Sequence, residues 1–301
     1  MRSEEARQKQ RNYGENNRNH QKQGNWAERA EHLRISIPKG TVRLAPSACG
    51  GGRPGRGVVL WSQVVSAVLP AQADKPRYVA AMFERIARRY DLMNALMTAG
   101  QDQRWRRLVA ELAGTRHSNW ILDVGTGTGR LGRAVRQTNP TARVVGIDFT
   151  DGMLRRASRE IHPTRADALR LPFADEQFDA VVSAFVVRNL ADVTGGIAEQ
   201  VRVLRPGGRL VILETTPGAD HPILRPLVRF YFRRVVPLLG RLIAGDACAY
   251  TYLPESTLAF VDPARVAHVV AECGLRDIDI RRLALGSVAI TSGRKPWIRR
   301  G

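Results

Sequence analysis

The stretch ILDVGTGTG, residues 121–129, decides the fold. Its first four residues form a short, largely apolar run typical of a buried strand, and the glycines after it predict a tight turn and the start of a helix. Glycine takes positive φ at no steric cost and lets the backbone approach a ligand closely. Open α/β sheets bind ligands beyond the carboxyl ends of their strands. The stretch therefore predicts an α/β fold with a nucleotide-like cofactor at this turn.

The spacing of the glycines narrows the choice of cofactor. A dinucleotide fingerprint is GxGxxG, whereas here the third glycine comes one residue early and an aspartate lies two residues before the first. This GxGxG spacing is typical of S-adenosylmethionine (AdoMet), which carries an amino-acid tail and no pyrophosphate. The predicted contacts within the stretch are Asp123, Gly125, Gly127 and Gly129.

Two aspartates further along the chain strengthen this prediction. Asp148 ends the next predicted strand, nineteen residues after Gly129, where a carboxylate can accept hydrogen bonds from both ribose hydroxyls. Asp167 follows a third strand, where its side chain can accept from the adenine amino group. The structural alternatives are a strand-end Asp148 that caps the next helix and a solvated loop Asp167.

Strand and helix signals alternate along the rest of the chain. Apolar residues at helical spacing over 78–90 and 105–112 predict two helices before the first strand. Further strands are predicted at 143–148, 178–185 and 210–215, further helices at 152–161, 192–204 and 262–274, and a closing antiparallel pair at 278–280 and 288–291. Such alternation predicts an open, mostly parallel sheet with helices on both faces.

Four further segments carry a resemblance closer than a fold. They are YDLMN (90–94), LPF (171–173), FVVRN (185–189) and GDACAYTYLPES (245–256). In this order the chain resembles the ubiquinone/menaquinone biosynthesis C-methyltransferase family over about residues 75–295. The resemblance implies a Rossmann-like class I methyltransferase with a seven-stranded sheet. It also implies AdoMet contacts at Thr128, Asp148, Asp167 and Ala168, and a substrate wall formed by the Tyr90 helix, Arg188 and residues 246–252.

Three positions depart from that family's usual pattern. Val186 replaces a glycine, Ala184 stands where serine is common, and Arg130 follows Gly129 where the family often has an acid. All three fall in the predicted cleft. They leave AdoMet binding in place but weaken the assignment of the methyl acceptor.

Methyl transfer to a quinol ring suggests roles for four residues. Deprotonating a hydroxyl makes the neighbouring ring carbon electron-rich, so the site must align the substrates, stabilise the quinolate and remove the ring proton. Arg188 is the candidate for stabilising the oxyanion, because a guanidinium stays protonated; the alternative is a structural ion pair with Asp192 or another carboxylate. Tyr90 is its candidate partner or a core residue. Asp246 and Tyr250 are candidates for a base or a hydrogen-bonding wall.

The composition is that of a folded, basic protein. The chain is 44% apolar and 25% charged, which excludes a collagen-like or wholly disordered protein. Its three cysteines form no CxxC and no Cys/His pair at zinc spacing, so we expect no metal and a cytoplasmic location. The net charge of +19 favours nucleic acid or an anionic membrane as partner. Aromatic residues make up only 6% of the chain, fewer than a surface that stacks on bases needs, which disfavours nucleic acid as the partner.

Composition also divides the chain into three segments. Residues 1–57 carry 12 basic and 5 acidic residues without apolar periodicity, which predicts a disordered basic tail; a nucleic-acid or membrane arm is the alternative. Residues 58–74 are predicted to form an ordinary amphipathic or leader segment. Residues 75–296 form the predicted AdoMet-dependent methyltransferase domain.

Residues 223–243 combine apolar and basic side chains. Arg225, Arg229 and Arg233 are four residues apart and share a face of a predicted helix among leucine, valine and phenylalanine. One interpretation is an interfacial element that lets a long-tailed quinol enter from the membrane. The other is a lid helix with an apolar face in the core and solvated arginines.

The predicted function is AdoMet-dependent C-methylation of a prenylated quinol in menaquinone or ubiquinone biosynthesis. One alternative is a methyltransferase for another small aromatic or lipid-like acceptor, and another is a nucleic-acid-binding or nucleic-acid-modifying protein. No apolar run reaches the ~20 residues needed to span a bilayer, so we expect a cytoplasmic protein that associates peripherally with membranes. The oligomeric state stays open, a homodimer included.

Overall fold

The computed structural model describes residue 70 and residues 74–114, 120–216, 225–244 and 246–297. The predicted basic tail, residues 1–57, lies outside the described residues. So does the predicted leader, residues 58–74, apart from Pro70 and Asp74.

A seven-stranded sheet organises the described chain. Its strands are β1 (Trp120–Val124), β2 (Arg143–Asp148), β3 (His162–Arg165), β4 (Phe178–Ala184), β5 (Leu204–Thr215), β6 (Arg276–Leu283) and β7 (Val288–Arg294). They lie in the order β3-β2-β1-β4-β5-β7-β6. The first five strands are parallel, and β7 pairs antiparallel with both β5 and β6. The predicted fold class and the predicted antiparallel closing pair are confirmed.

Helices precede the sheet and connect its strands. They are α1 (Lys75–Ile86), α2 (Tyr90–Met97), α3 (Asp102–Leu112), α4 (Arg130–Thr138), α5 (Asp151–Leu154), α6 (Val193–Arg202), α7 (Arg225–Phe230), α8 (Val236–Leu239), α9 (Ala247–Leu258) and α10 (Pro263–Glu272). Short 3-10 turns form Val187–Asn189 and Ala284–Gly286. Aspartate side chains start three of the helices, and each accepts a backbone N–H of the first turn: Asp192, Asp246 and Asp262.

Apolar side chains cover both faces of the sheet. Because successive side chains of a strand point to opposite faces, Ile121 and Leu122 of β1 belong to two different clusters. Leu122 packs in a cluster with residues of α6 and α10. Ile121 packs in a cluster with residues of α3 and α4. Strands buried on both faces explain the near-continuous apolar runs in the sequence.

Two predicted helices are wrong in extent. The apolar stripe over 78–90 is broken at residues 87–89, and Tyr90 begins a separate helix. The helix predicted over 152–161 ends at Leu154. The backbone after it binds the glycine turn, since the Ser158 N–H donates to the Thr128 carbonyl at 3.1 Å. A tertiary contact thus replaces the helical hydrogen bonds that local periodicity favours.

Residues 225–244 do not form the single α-helix that four-residue spacing predicts. Two π-helical turns, Tyr231–Val235 and Gly240–Ala244, interrupt it. Pro237 lacks a backbone N–H, and its ring disfavours an α-turn across residue 233, which explains the widened turn before it. Within the described residues, no helix combines the length and apolar character needed to cross a bilayer.

Candidate active site

The glycine turn lies between β1 and α4, at the carboxyl edge of the parallel strands. Gly125, Gly127 and Gly129 have φ of 65°, 58° and 80°, a conformation that side chains disfavour. The Thr126 N–H donates to the Ile147 carbonyl at 2.8 Å, which ties the turn to β2. The turn is thus held rigidly against the sheet.

A cavity beside this turn, the glycine-loop cavity, holds five of the eight predicted cofactor residues. They are Gly125, Gly127, Asp148, Asp167 and Ala168. The Asp148 carboxylate accepts the Gly127 N–H at 2.9 Å through Oδ2 and the Thr150 N–H at 2.9 Å through Oδ1. The Thr150 side chain and the Phe149 N–H also contact this carboxylate, which lies at the cavity wall, where ribose hydroxyls are predicted to bind. Burial raises the pKa of Asp148 above its usual value.

The other three predicted cofactor residues lie next to this cavity. Asp123 and Thr128 line a small gap between the glycine turn and α3, and Gly129 borders a groove on the outer side. The Thr128 hydroxyl donates to Asp91 Oδ1 at 2.7 Å, which connects the glycine turn to α2. An added Cβ would meet Val186 at Gly125 and Ile161 at Gly129, whereas at Gly127 the nearest heavy atom is 4.0 Å away. The backbone is therefore open to a ligand at Gly127, and the cofactor contacts stay a prediction.

The Asp123 carboxylate is buried, and only one of its two oxygens is hydrogen-bonded. Its Oδ2 accepts from the Thr126 hydroxyl at 2.7 Å and the Gly132 N–H at 3.0 Å, whereas Oδ1 has no hydrogen-bond partner. Burial disfavours the charged carboxylate and raises the pKa of Asp123 from 3.8 to about 7. Asp123 therefore carries a variable charge at neutral pH.

This pKa predicts a pH-dependent stability. Between pH 3.8 and about 7 the folded protein holds a proton on Asp123 that the unfolded chain has lost, so stability falls as the pH rises. We expect Tm to fall between about pH 4 and about pH 7, and Asp123→Asn to remove most of this dependence of Tm on pH. The control is Asp151→Asn, since the Asp151 side chain is half-exposed. A slope unchanged in Asp123→Asn would contradict the prediction.

A second cavity of about 710 Å³, the apolar cavity, adjoins the first. Aromatic and aliphatic side chains from α1, α2, α9 and residues 227–235 form most of its lining. Four side chains line both cavities: Phe83, Tyr90, Phe185 and Asn189. A ligand in the apolar cavity therefore lies next to a ligand at the glycine turn.

Three residues of the apolar cavity carry unpartnered polar atoms. Asn94 Nδ2, Arg188 Nε and Tyr250 Oη are buried and have no hydrogen-bond partner. Burial raises the pKa of Tyr250 far above its usual value, so its hydroxyl stays protonated at neutral pH. Buried polar atoms are costly without partners, so these three are candidates for contact with a polar ligand group. Asn94 was not predicted individually, although its YDLMN segment was.

Arg188 is held by a carboxylate that the sequence did not reveal. Its guanidinium pairs with Glu214 of β5, and its backbone N–H donates to the same carboxylate at 3.2 Å. Both side chains are buried. The predicted structural alternative, a pair with Asp192 or another carboxylate, is realised with Glu214, and the guanidinium still borders the apolar cavity. The ion pair and a substrate contact are compatible, because Nε is unpartnered.

The structure places Asp246 apart from these groups. Its carboxylate accepts the Ala249 N–H at 3.0 Å as the cap of α9 and pairs with Arg85 at 2.9 Å. It is outside the lining of both cavities. A role as a base stays a prediction, and the geometry favours a structural role that fixes the start of α9 beside Tyr250.

Comparison with known proteins shows the family of this chain. The model of the ubiE/COQ5 methyltransferase family matches residues 71–295. The chain belongs to this family. Demethylmenaquinone methyltransferase of Thermus thermophilus is 44% identical over 71% of this chain and 100% of its own length. The ubiquinone/menaquinone biosynthesis C-methyltransferase of Desulfotalea psychrophila is 44% identical over 72% and 90%.

Solved structures show the same fold. A SAM-dependent methyltransferase from Thermotoga maritima has a TM-score of 0.51 at 16% identity and covers 71% of this chain and 99% of its own. The [4+2]-cyclase SpnF has a TM-score of 0.52 at 17% identity and covers 73% and 95%. At such identities only the fold is shared, and one fold hosts many activities. Membership in the family identifies this chain as an AdoMet-dependent methyltransferase.

Two of the three departures from the family pattern border the cofactor site. Val186 lies against Gly125, where an added Cβ would come within 2.3 Å of Val186 Cγ2. Ala184 lines the glycine-loop cavity. Arg130 is on the other side of the turn, where it pairs with buried Asp102 at 3.0 Å.

Proposed function

We propose that the protein transfers a methyl group from AdoMet to a ring carbon of a prenylated quinol of the demethylmenaquinol type. The observation that carries this proposal is the apolar cavity, which shares four residues with the glycine-loop cavity and contains three unpartnered polar atoms. A quinol has a flat apolar ring, oxygens at its edge and an apolar tail. The names of the curated relatives support the same acceptor.

The residues of the apolar cavity fit the needs of that reaction. AdoMet supplies an electrophilic methyl on a sulfonium, and the S–C electron pair stays on sulfur when the ring carbon forms its new bond. Arg188 stabilises the quinolate oxygen, because its guanidinium is cationic and buried where charge develops. Tyr250 donates a hydrogen bond, since its raised pKa excludes a phenolate at neutral pH. Tyr90, which lines both cavities, holds the ring against the methyl. After transfer the ring carbon gives its proton to a water molecule, and the C–H electron pair restores the aromatic ring.

Turnover with defined acceptors tests this function. We expect purified protein to C-methylate dithionite-reduced demethylmenaquinol and to leave the oxidised quinone unchanged, because only the quinol has an electron-rich ring carbon. Mass spectrometry gives the added methyl, and NMR shows its position. Methylation of another aromatic ring or of nucleic acid, with no reaction on the quinol, would contradict the proposal.

Tyr250→Phe tests the contact within the cavity. We expect it to raise KM for the quinol roughly 10-fold, the value of one hydrogen bond to a buried oxygen. The matched control is Tyr78→Phe, because Tyr78 packs on Tyr252 with ring centroids 5.4 Å apart and lies outside the lining of both cavities. Equal KM values in the two variants would exclude Tyr250 as a substrate contact.

We also propose that residues 227–242 dock on an anionic membrane surface. Leu227, Phe230, Leu238 and Leu242 expose more than half of their surface. Exposed Arg229, Arg233 and Arg241 accompany them, and each basic residue near anionic lipid adds about 1 kcal/mol of attraction. Leu227 and Phe230 also line the apolar cavity, so a long-tailed quinol could enter from the lipid at this segment. The protein would then be cytoplasmic and peripherally bound.

Vesicle sedimentation checks the membrane proposal. We expect binding to vesicles that contain phosphatidylglycerol, weaker binding in high salt and little binding to neutral phosphatidylcholine. Leu242→Glu should reduce binding, whereas Val261→Glu, at an exposed apolar position outside the segment, should leave it unchanged. Binding that is independent of lipid charge and salt would contradict the proposal.

A homodimer also stays a prediction, to be checked by light scattering.

A further inference from the structure

The exposed part of the lining of the apolar cavity is separate from the part that borders the cofactor site. Five lining residues are exposed, and together they form what we term the mouth: Leu96, Ala99, Gln101, Leu227 and Phe230. None of them lines the glycine-loop cavity. The two charged residues of the lining, Asp102 and Arg188, are both buried. Among the described residues, the cavity thus opens to solvent through a mouth without a charged side chain.

Two elements that are far apart in the sequence form this mouth. Leu96 belongs to the last turn of α2, whereas Leu227 and Phe230 belong to α7. A hydrogen bond joins the two elements, since the Tyr231 hydroxyl donates to the Met97 carbonyl at 2.8 Å. The last carbonyls of a helix have no partner within it, so α2 has this acceptor available. Because both residues also line the cavity, the bond fixes the position of α7 against α2 at the mouth.

The chemistry of the mouth fits a hydrocarbon chain. Leu96, Leu227 and Phe230 expose 45%, 63% and 59% of their surface. Single exposed apolar side chains are ordinary, but three around the opening of one cavity form a contiguous apolar surface of the kind that marks a ligand-binding groove. A hydrocarbon laid on it is favoured by the area that both remove from water. A polar group would find only the Gln101 amide among the side chains of the mouth.

We infer that the mouth is the subsite for the first units of the acceptor's prenyl tail, and that Leu96 is a specificity-determining residue that favours tailed acceptors over tail-less ones. The ring lies inside the cavity, beside buried Arg188 and Tyr250, and the tail leaves between α2 and α7. The inference rests on the proposed quinol methylation. It adds a contact from α2 that neither the chemistry at the ring nor membrane docking by residues 227–242 requires.

Turnover of two acceptors that differ only in the tail tests this inference. The acceptors are dithionite-reduced 1,4-naphthoquinol without a tail and the same quinol with two prenyl units, assayed with the full chain and without vesicles. We expect KM to be at least roughly 10-fold lower for the prenylated acceptor, because hydrocarbon is buried at the mouth. Leu96→Gln should raise KM roughly 10-fold for the prenylated acceptor and leave KM for the tail-less acceptor unchanged. The kcat for both should stay at the wild-type value, since the reacting carbon is elsewhere.

Leu92→Gln is the matched control. Leu92 is one turn earlier on α2 and is 53% exposed, but it is outside the lining of the apolar cavity, so its loss should leave both KM values unchanged. Equal KM values for the two acceptors in the wild type would overturn the inference. So would an equal effect of Leu96→Gln on both acceptors, or equal effects of Leu96→Gln and Leu92→Gln. In these cases the quinol is still methylated and the proposed function stands, whereas methylation of neither acceptor would overturn both.

Discussion

Replacing Arg188 by methionine is expected to lower kcat by about 100- to 1,000-fold and to destabilise the protein by about 3–5 kcal/mol. The first effect follows from the loss of the cation beside the quinolate oxygen. The second follows from Glu214, whose buried carboxylate would lose its ionic partner. Both effects come from one side chain, so a single variant does not separate them.

The double variant Arg188→Met with Glu214→Gln separates catalysis from stability. It removes both buried charges. The backbone N–H groups of residues 188 and 215 donate to different oxygens of Glu214, and the single glutamine oxygen can still accept one of them. We expect most of the lost stability to return, since replacing both partners of a buried ion pair is often nearly neutral. The kcat should stay low. Wild-type kcat in the double variant would eliminate Arg188 as the oxyanion-stabilising group.

The second large effect is expected at Gly125. An alanine there would place its Cβ 2.3 Å from Val186 Cγ2, at a φ of 65°. Gly100→Ala provides the matched control, because Gly100 has a φ of 74° and no heavy atom within 4 Å of an added Cβ. We expect Gly100→Ala to cost about 1–2 kcal/mol from backbone strain alone. Gly125→Ala should cost more and should abolish AdoMet binding in calorimetry.

A second substitution distinguishes the clash from the strain. Adding Val186→Gly to Gly125→Ala removes the colliding methyl groups and leaves the unfavourable φ unchanged. The double variant should therefore recover stability to about the level of Gly100→Ala. Equal Tm values for Gly100→Ala and Gly125→Ala would show that Val186 moves aside, and the steric argument would be wrong.

Features that depend on a few neighbouring residues could be predicted from the sequence. The glycine turn, the strand-end Asp148 and the aspartate caps of α6 and α10 each combine a residue type with a short spacing, and the structure has all of these elements where they were predicted. The number of strands in the sheet agrees with what the family resemblance implies. The break between α1 and α2 was missed because both helices place apolar residues at the same period, so a turn at residues 87–89 leaves no gap in the pattern.

The candidate site could be predicted only in part, because several of its contacts join residues that are far apart in the sequence. Glu214 pairs with a residue 26 positions away, and a single glutamate in an apolar strand does not indicate its partner. Asp102 of α3 and Arg130 of α4 form an ion pair. This contact depends on the packing of the two helices, so the sequence does not indicate it. Asp246 was selected for its motif, whereas the fold uses its carboxylate to start a helix.

The position of β7 constrains how the protein is made. This strand follows both of its neighbours in the sequence yet lies between them, with Val288 to Thr291 buried. During synthesis on the ribosome, β5 and β6 emerge first and cannot pair through β7 until residues 288–294 have left the exit tunnel. Until then β5 keeps an open edge whose unpaired backbone groups invite association with other chains. Nascent chains that end before residue 288 therefore expose this edge of the sheet to other chains.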